Sequence, residues 1–338
     1  MSGYELSQQM TFSRLMGLAN GHAEARILQT AVSLGIFEAL ASVPQEAPAI
    51  ANKLQLEPKA TELLLNALAA LNILNKKAQH FSLCEAAKPY LLRSSPQYVG
   101  GMIKFEDLSW QSWTKLPEAI RTGRPARPTN MYQEDPSETE TFINAMDSLV
   151  RARGDTEAVI TALDWQNVGE LLDVGSGPAT YPIALCRKFY NIRATIVDLP
   201  VTLKITERYV QGAGMTDRIT LIAGDYRKDP IPGHYDSVFL SNIIHAEDSE
   251  RNQDLMSKLS RNLKPRGSIV VKDHVLDESR ANPAAGAIFS LLMLLTTAGG
   301  RCYSFGEIKS WMERAGLSQI QQIGLPPPLT SSLVVGTR

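Results

Sequence analysis

The sequence predicts an α/β protein with a mainly helical N-terminal half and a C-terminal half that forms a doubly wound, largely parallel sheet. Strand and helix patterns alternate from Glu170 onward, as a sheet with crossover helices requires. Before about residue 165, apolar residues recur at helical spacing instead. A chain of 338 residues is long enough for two domains, and we place the boundary between residues 165 and 166.

In the N-terminal half, the pattern follows the outline of a winged helix. Helices are predicted over residues 23–40, 49–54, 61–74, 107–121 and 136–162. A two-stranded wing is predicted over residues 75–84. We expect this domain to bury its apolar helices against a second copy of the chain and so to form a homodimer.

In the C-terminal half, each apolar strand is followed by a turn and a helix. Strands are predicted over residues 170–174, 193–198, 218–224, 237–241, 268–275, 319–323 and 333–335. Helices are predicted over residues 200–212, 249–263 and 305–315, together with one over 287–295 that is expected to be buried on all sides. Ligands in such sheets bind beyond the carboxyl ends of the strands.

The first of these strands ends in a glycine turn, Asp173-Val174-Gly175-Ser176-Gly177-Pro178, that opens a helix. Glycines there let the backbone approach a ligand closely. Asp198 ends the next strand and is suited to the two hydroxyls of a ribose. Tyr181 occupies the third glycine position of a dinucleotide site and is too large for it, and no P-loop pattern is present.

Polar residues also end the later strands. Gly224-Asp225-Tyr226 follows the third strand, Ser241 and His245 follow the fourth, and Asp273 lies on the fifth. We expect His245 to act as a general base and Asp273 to orient its ring. His274 alternates with Asp273 and is expected to point to the opposite face.

Composition excludes several classes of function. Lys plus Arg is 34 against 35 for Asp plus Glu, and Lys59 stands beside Glu57 and Glu62, so nucleic acid is not an expected partner. Cys84, Cys186 and Cys302 lack metal-ligand spacing, and no metal is expected. No apolar run approaches the roughly 20 residues of a membrane span, and no secretory signal is visible, so a cytoplasmic protein is expected.

Across nearly its whole length, the chain resembles the plant and bacterial small-molecule O-methyltransferases, which use S-adenosylmethionine and have a winged-helix dimerisation domain. The likeness rests on residues 31–37, 68–74, 173–179, 197–200 and 298–301, together with Gly224-Asp225 and His245. It implies a Rossmann-like methyltransferase domain. It implies S-adenosylmethionine contacts from Asp173, Gly175, Ser176, Gly177, Asp198, Leu199, Gly224, Asp225, Tyr226 and Ser241.

The resemblance also implies a catalytic pair and an acceptor pocket. His245 matches the family's base, and Asp273 matches the carboxylate that orients it. The acceptor is expected to be flat and apolar, with a hydroxyl. Four residues match positions that line the family's acceptor pocket: Phe142, Met146, Met293 and Thr297. Four more have side chains that suit its walls: Phe105, Trp110, Trp113 and Phe289.

The chain departs from the family pattern at four positions, and the mildest departure is Ala179, which replaces the last glycine of the glycine motif. Ala246-Glu247 stands where Asp-Trp usually follows the histidine, and Cys302 stands where a second carboxylate usually flanks it. The segment over residues 285–304 is most similar to a branch that contains carotenoid O-methyltransferases and a bacteriochlorophyllide C-methyltransferase. A C-methyltransferase therefore stays open as an alternative, as do a regulator that senses S-adenosylmethionine and an inactive scaffold.

Overall fold

The computed structural model describes residues 10–130 and 132–338 and divides the chain into two compact units, 1–108 and 109–338. The sequence-based boundary at 165 and 166 therefore lies within the second unit. The physical reason is packing: the helices over residues 136–162 contact the helices that cover the large sheet, so they belong with it.

Over its described residues, 10–108, the first unit contains six α-helices and a small sheet. Its helices are α1 (Phe12–Leu34), α2 (Ile36–Ala39), α3 (Ala47–Leu54), α4 (Pro58–Ala70), α5 (Lys88–Leu91) and α6 (Gly100–Leu108). Its strands are β1 (Gln45–Glu46), β2 (Leu74–Lys77) and β3 (His80–Leu83), paired antiparallel in the order β1-β3-β2. The predicted wing is therefore present, with β1 as an additional strand.

A single apolar core holds the first unit together. Leu65 and Leu68 of α4 are fully buried beside Ile36, Ile50 and Phe81. Gly35 ends α1 in the left-handed conformation, at a φ of 77°, where a side chain would be strained. The predicted helix over residues 23–40 is thus two helices, because this glycine breaks it.

The second unit contains nine helices and nine strands among the described residues. The helices are α7 (Trp110–Thr114), α8 (Leu116–Thr122), α9 (Pro136–Arg153), α10 (Asp155–Ala162), α11 (Thr180–Lys188), α12 (Pro200–Gly212), α13 (Ser249–Arg261), α14 (Ala284–Thr296) and α15 (Phe305–Arg314). The strands are β4 (Glu170–Val174), β5 (Arg193–Asp198), β6 (Ile219–Ala223), β7 (Tyr235–Ser241), β8 (Leu263–Asp273), β9 (Val275–Leu276), β10 (Tyr303–Ser304), β11 (Ser318–Gly324) and β12 (Ser332–Thr337).

Seven strands form one sheet in the order β11-β12-β8-β7-β4-β5-β6. The five strands from β8 to β6 are parallel, and β12 runs antiparallel between β8 and β11. The chain goes outward from β4 through β5 to β6 and then returns to the other side of β4 with β7. This reversal of strand order opens a crevice at the carboxyl end of β4, where the glycine turn lies.

Both faces of the sheet are covered, which explains why its strands are apolar throughout. Leu171 of β4 packs in the layer beneath α10, α11 and α12, whereas Leu172 packs in the opposite layer beneath α13 and α15. Successive strand residues point to opposite faces, so both must be buried. The doubly wound α/β fold predicted from the sequence is confirmed.

Several local predictions were wrong. The helix expected over residues 107–121 is broken into the end of α6, α7 and α8. The helix expected over residues 249–263 ends at Arg261, and Leu263 already begins β8. Helix α14 is not buried on all sides: only Gly286, Met293 and Leu295 are buried, and Ile288 is 60% exposed. Among the described residues, no helix combines the length and apolar character needed to cross a bilayer.

Candidate active site

One cavity at the carboxyl ends of the parallel strands collects most of the predicted site. Its walls include all ten residues proposed for the cofactor, which are Asp173, Gly175, Ser176, Gly177, Asp198, Leu199, Gly224, Asp225, Tyr226 and Ser241. Phe142 and Met146 of α9 line the same cavity. Residues from β4, β5, β6 and β7 converge here because parallel strands end at one edge of the sheet.

The glycine turn approaches its surroundings too closely for side chains. Gly175 has a φ of 67°, and a Cβ there would come within 2.4 Å of Ile243 Cδ1. Gly177 has a φ of 58° and donates its N–H to Asp198 Oδ2 at 2.8 Å. Ala179 also has a positive φ, 59°, and this costs an alanine about 1–2 kcal/mol. The turn therefore presents bare backbone to the cavity.

Two buried carboxylates face each other across this turn. Asp173 accepts a hydrogen bond from Ser176 Oγ at 2.7 Å, and its Oδ1 has no partner among the described residues. Burial, with a smaller contribution from Asp198, raises the pKa of Asp173 to about 8. Burial likewise raises the pKa of Asp198 to about 6, although the N–H groups of Gly177 and Leu199 bind it. A cation in the cavity would favour the charged form of both.

The predicted catalytic pair is formed. His245 lies in a short 3₁₀ turn after β7, and its Nδ1 is 2.8 and 3.0 Å from the two oxygens of Asp273 at the end of β8. Burial disfavours the charge of Asp273, but the His245 ring and the His274 N–H outweigh it and hold the pKa of Asp273 below its usual value. This contact suits the tautomer with the proton on Nδ1, which leaves Nε2 as the acceptor.

A glycine pair fixes the turn that carries this histidine. A Cβ at Gly300 would lie 2.2 Å from the His245 carbonyl oxygen and 2.5 Å from Thr297 Oγ1. The N–H of Gly300 donates to Thr297 Oγ1 at 2.9 Å. Thr297, assigned from the sequence to the acceptor pocket, therefore positions the glycine loop and also borders two depressions beside the main cavity.

The remaining predicted pocket residues are divided among different places. The Phe289 ring meets His245 edge-on, with centroids 4.8 Å apart. Met293 is buried in α14 and does not line the main cavity. Trp110 and Trp113 lie in α7, and Phe105 lies in α6 of the first unit.

Comparison with known proteins identifies the family. Residues 113–318 match the family model of the O-methyltransferase domain, and residues 16–93 match that of the O-methyltransferase dimerisation domain. The chain belongs to the O-methyltransferase family. It is a methyltransferase, and its cofactor is S-adenosylmethionine.

Individual relatives cover almost the whole chain. A 3-hydroxy-5-methyl-1-naphthoate 3-O-methyltransferase from Streptomyces sahachiroi is 30% identical, over 96% of this chain and 94% of that protein. A tetracenomycin polyketide synthesis 8-O-methyl transferase from Streptomyces glaucescens is 29% identical, over 91% and 92%. The fold matches that of human N-acetylserotonin methyltransferase solved with S-adenosylmethionine, with a TM-score of 0.88 at 23% identity and coverage of 100% and 99%.

The cavity of this O-methyltransferase-family protein fits that cofactor. The cofactor is cationic at its sulfonium and amino groups, and buried Asp173, whose Oδ1 has no partner among the described residues, is one of the residues that line this cavity. Asp198 lies at the end of β5, as a ribose-binding carboxylate requires. No phosphate needs to be held, and the turn accordingly carries no Lys or Arg.

Sequence reasoning missed several residues of this cavity. Arg153, at the end of α9, lines it together with Leu149 and Tyr181. Arg153 follows Phe142, Met146 and Leu149 at intervals of three or four residues, so these side chains lie on one face of α9. Continuing this face by one helical turn from Leu149 would have predicted Arg153. Tyr181 stands at the position where a dinucleotide site has its third glycine, and its hydroxyl donates a hydrogen bond to Asp155 Oδ2 at 3.2 Å.

The expectation that His274 points away from Asp273 depended on strand alternation. β8 ends at Asp273, so strand alternation no longer applies to the next residue. The His274 ring packs against the Phe289 ring, with centroids 5.0 Å apart, and Phe289 also contacts the His245 ring. Burial lowers the pKa of His274, which favours its neutral form.

The departure at Cys302 places a buried thiol in this region. Burial and then the charge of Asp273 raise the pKa of Cys302 to about 12, so the thiol stays neutral. Among the described residues, Asp273 is the one carboxylate within hydrogen-bond distance of the His245 ring.

Proposed function

We propose that the protein methylates a hydroxyl oxygen of an aromatic or polyketide-like small molecule, with His245 as the general base. The observation that carries this proposal is the His245–Asp273 pair at the ends of adjacent strands β7 and β8, beside the cavity. A base is needed to remove the proton of a hydroxyl as the oxygen becomes methylated. The relatives named above are O-methyltransferases, which supports oxygen over carbon as the acceptor atom.

The cofactor, when bound, supplies an electrophilic methyl group on its sulfonium. We assign Asp198 to the ribose, Asp173 to the cationic methionyl end, and Asp225 and Tyr226 to the neighbourhood of the adenine. Arg153 is suited to the cofactor's carboxylate, because its guanidinium is held by Asp155 at 2.9 and 2.8 Å and lines the same cavity.

Asp273 keeps the His245 ring in one orientation, so Nε2 is ready to take the acceptor proton. Stabilising the protonated ring that results is a further role of the buried carboxylate. Most of the remaining catalysis is placement of two reactants in a water-poor cavity. Phe142 and Met146 in the cavity, and the Phe289 ring against His245, provide apolar and aromatic surfaces that suit a flat acceptor.

We also propose that the first unit forms the homodimer contact. The match of residues 16–93 to a dimerisation domain supports this assignment. Phe12, Leu15 and Leu18 of α1 are 81%, 54% and 67% exposed, which leaves apolar surface for a second copy.

Replacement of the base tests the proposed reaction. His245→Ala is expected to lower kcat at least about 100-fold, because general base catalysis contributes about 10²–10⁴-fold. Binding of S-adenosylhomocysteine, measured by calorimetry, should be unchanged. His234→Ala is the matched control, since His234 is exposed and lies away from the cavity.

Hydroxylated aromatic carboxylates and phenols are the first acceptors to screen by mass spectrometry. A product whose new methyl group is on oxygen supports the proposal. A product methylated at carbon would favour the C-methyltransferase alternative. Full turnover by His245→Ala would remove His245 from the mechanism.

A further inference from the structure

Glu247 is a buried carboxylate two residues after the catalytic histidine. It is 3% exposed, and its Oε1 accepts a hydrogen bond from the Tyr226 hydroxyl at 2.8 Å. Its Oε2 accepts from the Arg251 guanidinium at 3.3 Å. An isolated carboxylate in such a place is costly, so both contacts are needed to keep it there.

The backbone of the same residue is also held. The Tyr303 hydroxyl donates to the Glu247 carbonyl oxygen at 2.6 Å. Asn252 Nδ2 donates to that oxygen at 3.3 Å and to the Ile244 carbonyl at 2.8 Å. Side chain and main chain of Glu247 are thus tied at the end of the turn that carries His245.

Tyr226 connects Glu247 with the cofactor cavity, of which it forms one wall. The phenol oxygen lies on the long axis of the tyrosine ring, so the hydrogen bond to Glu247 fixes the position of the outer end of the ring and the direction of that axis. Burial, and then the charge of Glu247, raise the pKa of Tyr226 well above 10. The phenol therefore stays a donor across the neutral range.

We propose that Glu247 is a positioning residue for the cofactor: it holds the Tyr226 ring as the wall that receives the adenine and links that wall to the His245 turn. This inference rests on the proposed location of the adenine beside Tyr226. A purely apolar side chain at position 247 would fill the same space but would leave the phenol without its acceptor.

A double-mutant cycle on binding of S-adenosylhomocysteine tests this role. Glu247→Ala and Tyr226→Phe are each expected to raise the Kd about 3- to 10-fold, as loss of one hydrogen bond in a coupled pair does. The double variant should bind no more weakly than the weaker single variant. Glu247→Gln retains an acceptor for the phenol and should recover most of the affinity.

Kinetics separate positioning from a general loss of structure. In Glu247→Ala, KM for S-adenosylmethionine should rise, whereas KM for the acceptor and kcat at saturating cofactor should change less than about threefold. Glu250→Gln and Tyr190→Phe are matched controls, because both side chains are exposed. Thermal unfolding of each variant reports whether it is folded. If Glu247→Ala does not fold, Glu247→Leu, which fills the space but offers the phenol no acceptor, takes its place in the cycle.

Asp198→Asn distinguishes failure of this inference from failure of the proposed site. If Asp198→Asn leaves the Kd unchanged, the assignment of the cofactor cavity is overturned. If Asp198→Asn weakens binding but Glu247→Ala and Tyr226→Phe do not, only the role of Glu247 is overturned. Strictly additive effects of the two substitutions would overturn it as well.

Discussion

Asp173 is a residue whose ionisation the fold changes. The peptide chain places it one residue before the end of β4, where it is 1% exposed and lacks a partner for Oδ1. Its pKa of about 8 lies above the value of about 4 for an unfolded aspartate. Between about pH 4 and 8, Asp173 therefore stays protonated in the folded protein without cofactor, whereas it is ionised in the unfolded chain.

This raised pKa predicts a pH-dependent difference in stability. The stabilisation from the bound proton is complete below about pH 4 and is lost as pH rises through about 8. Asp173→Asn does not titrate, so its melting temperature without cofactor should exceed that of the wild type by more at pH 9 than at pH 5. An equal difference at both pH values, measured by thermal unfolding, would contradict the assignment of the raised pKa to Asp173.

The same substitution is expected to weaken cofactor binding. The ammonium group that S-adenosylhomocysteine shares with the cofactor favours ionised Asp173, so wild-type affinity for S-adenosylhomocysteine should increase as pH rises from about 6 to 8. Asp173→Asn should bind about 10-fold or more weakly, since a hydrogen bond to a charged group contributes about 1.5–3 kcal/mol. Calorimetry at several pH values checks both effects; a pH-independent wild-type affinity would exclude the linkage.

Among the secondary-structure elements, the junction of α9 and α10 is held by a buried ion cluster. Asp155, fully buried at the start of α10, binds Arg153 and accepts from the Tyr181 hydroxyl. Lys272 of β8 is also fully buried, and its Nζ lies 2.9 Å from Asp155 Oδ2. The angle between these two groups does not meet the geometry of a hydrogen bond. We interpret the contact as an ion pair because the two groups are close and shielded from water.

Breaking this cluster from one side should be costly. Burial lowers the pKa of Lys272, and the Asp155 charge opposes that shift. Asp155→Asn leaves two cations without their carboxylate and is expected to reduce the free energy of unfolding by about 3–5 kcal/mol. Urea unfolding measures this loss of free energy, and Asp254→Asn is the matched control because Asp254 is exposed. A loss below about 1 kcal/mol would show that the pair is not stabilising the junction.

In the whole molecule, the exposed apolar face at the start of α1 is the surface on which the homodimer proposal is tested. Paired Leu15→Glu and Leu18→Glu substitutions should convert the dimer to a monomer, because they place charge in an apolar contact. Light scattering after gel filtration measures the mass. Ile120→Glu, at a side chain that is 61% exposed in α8, should leave it unchanged. A dimer that survives the paired substitution would exclude this face.

Local patterns were sufficient for much of the fold and for the strand ends. The apolar run from Leu171 to Val174, the positive-φ glycines after it and the acidic Asp198 are readable because strands and turns depend on neighbouring residues. His245 and Asp273 were paired correctly, since polar residues at parallel strand ends must meet at one edge. The break of α1 at Gly35 was missed because helical periodicity continues across it.

The remaining features depend on packing between distant segments. The sequence gives no sign that Glu247 contacts Tyr226 or that Asp155 contacts Lys272. The two residues of each pair belong to different segments that are brought together only by the fold. The same holds for the unit boundary after Leu108 and for His274 against Phe289. Sequence periodicity determines which face of an element is apolar, whereas contacts between side chains depend on the angle and register at which those faces pack.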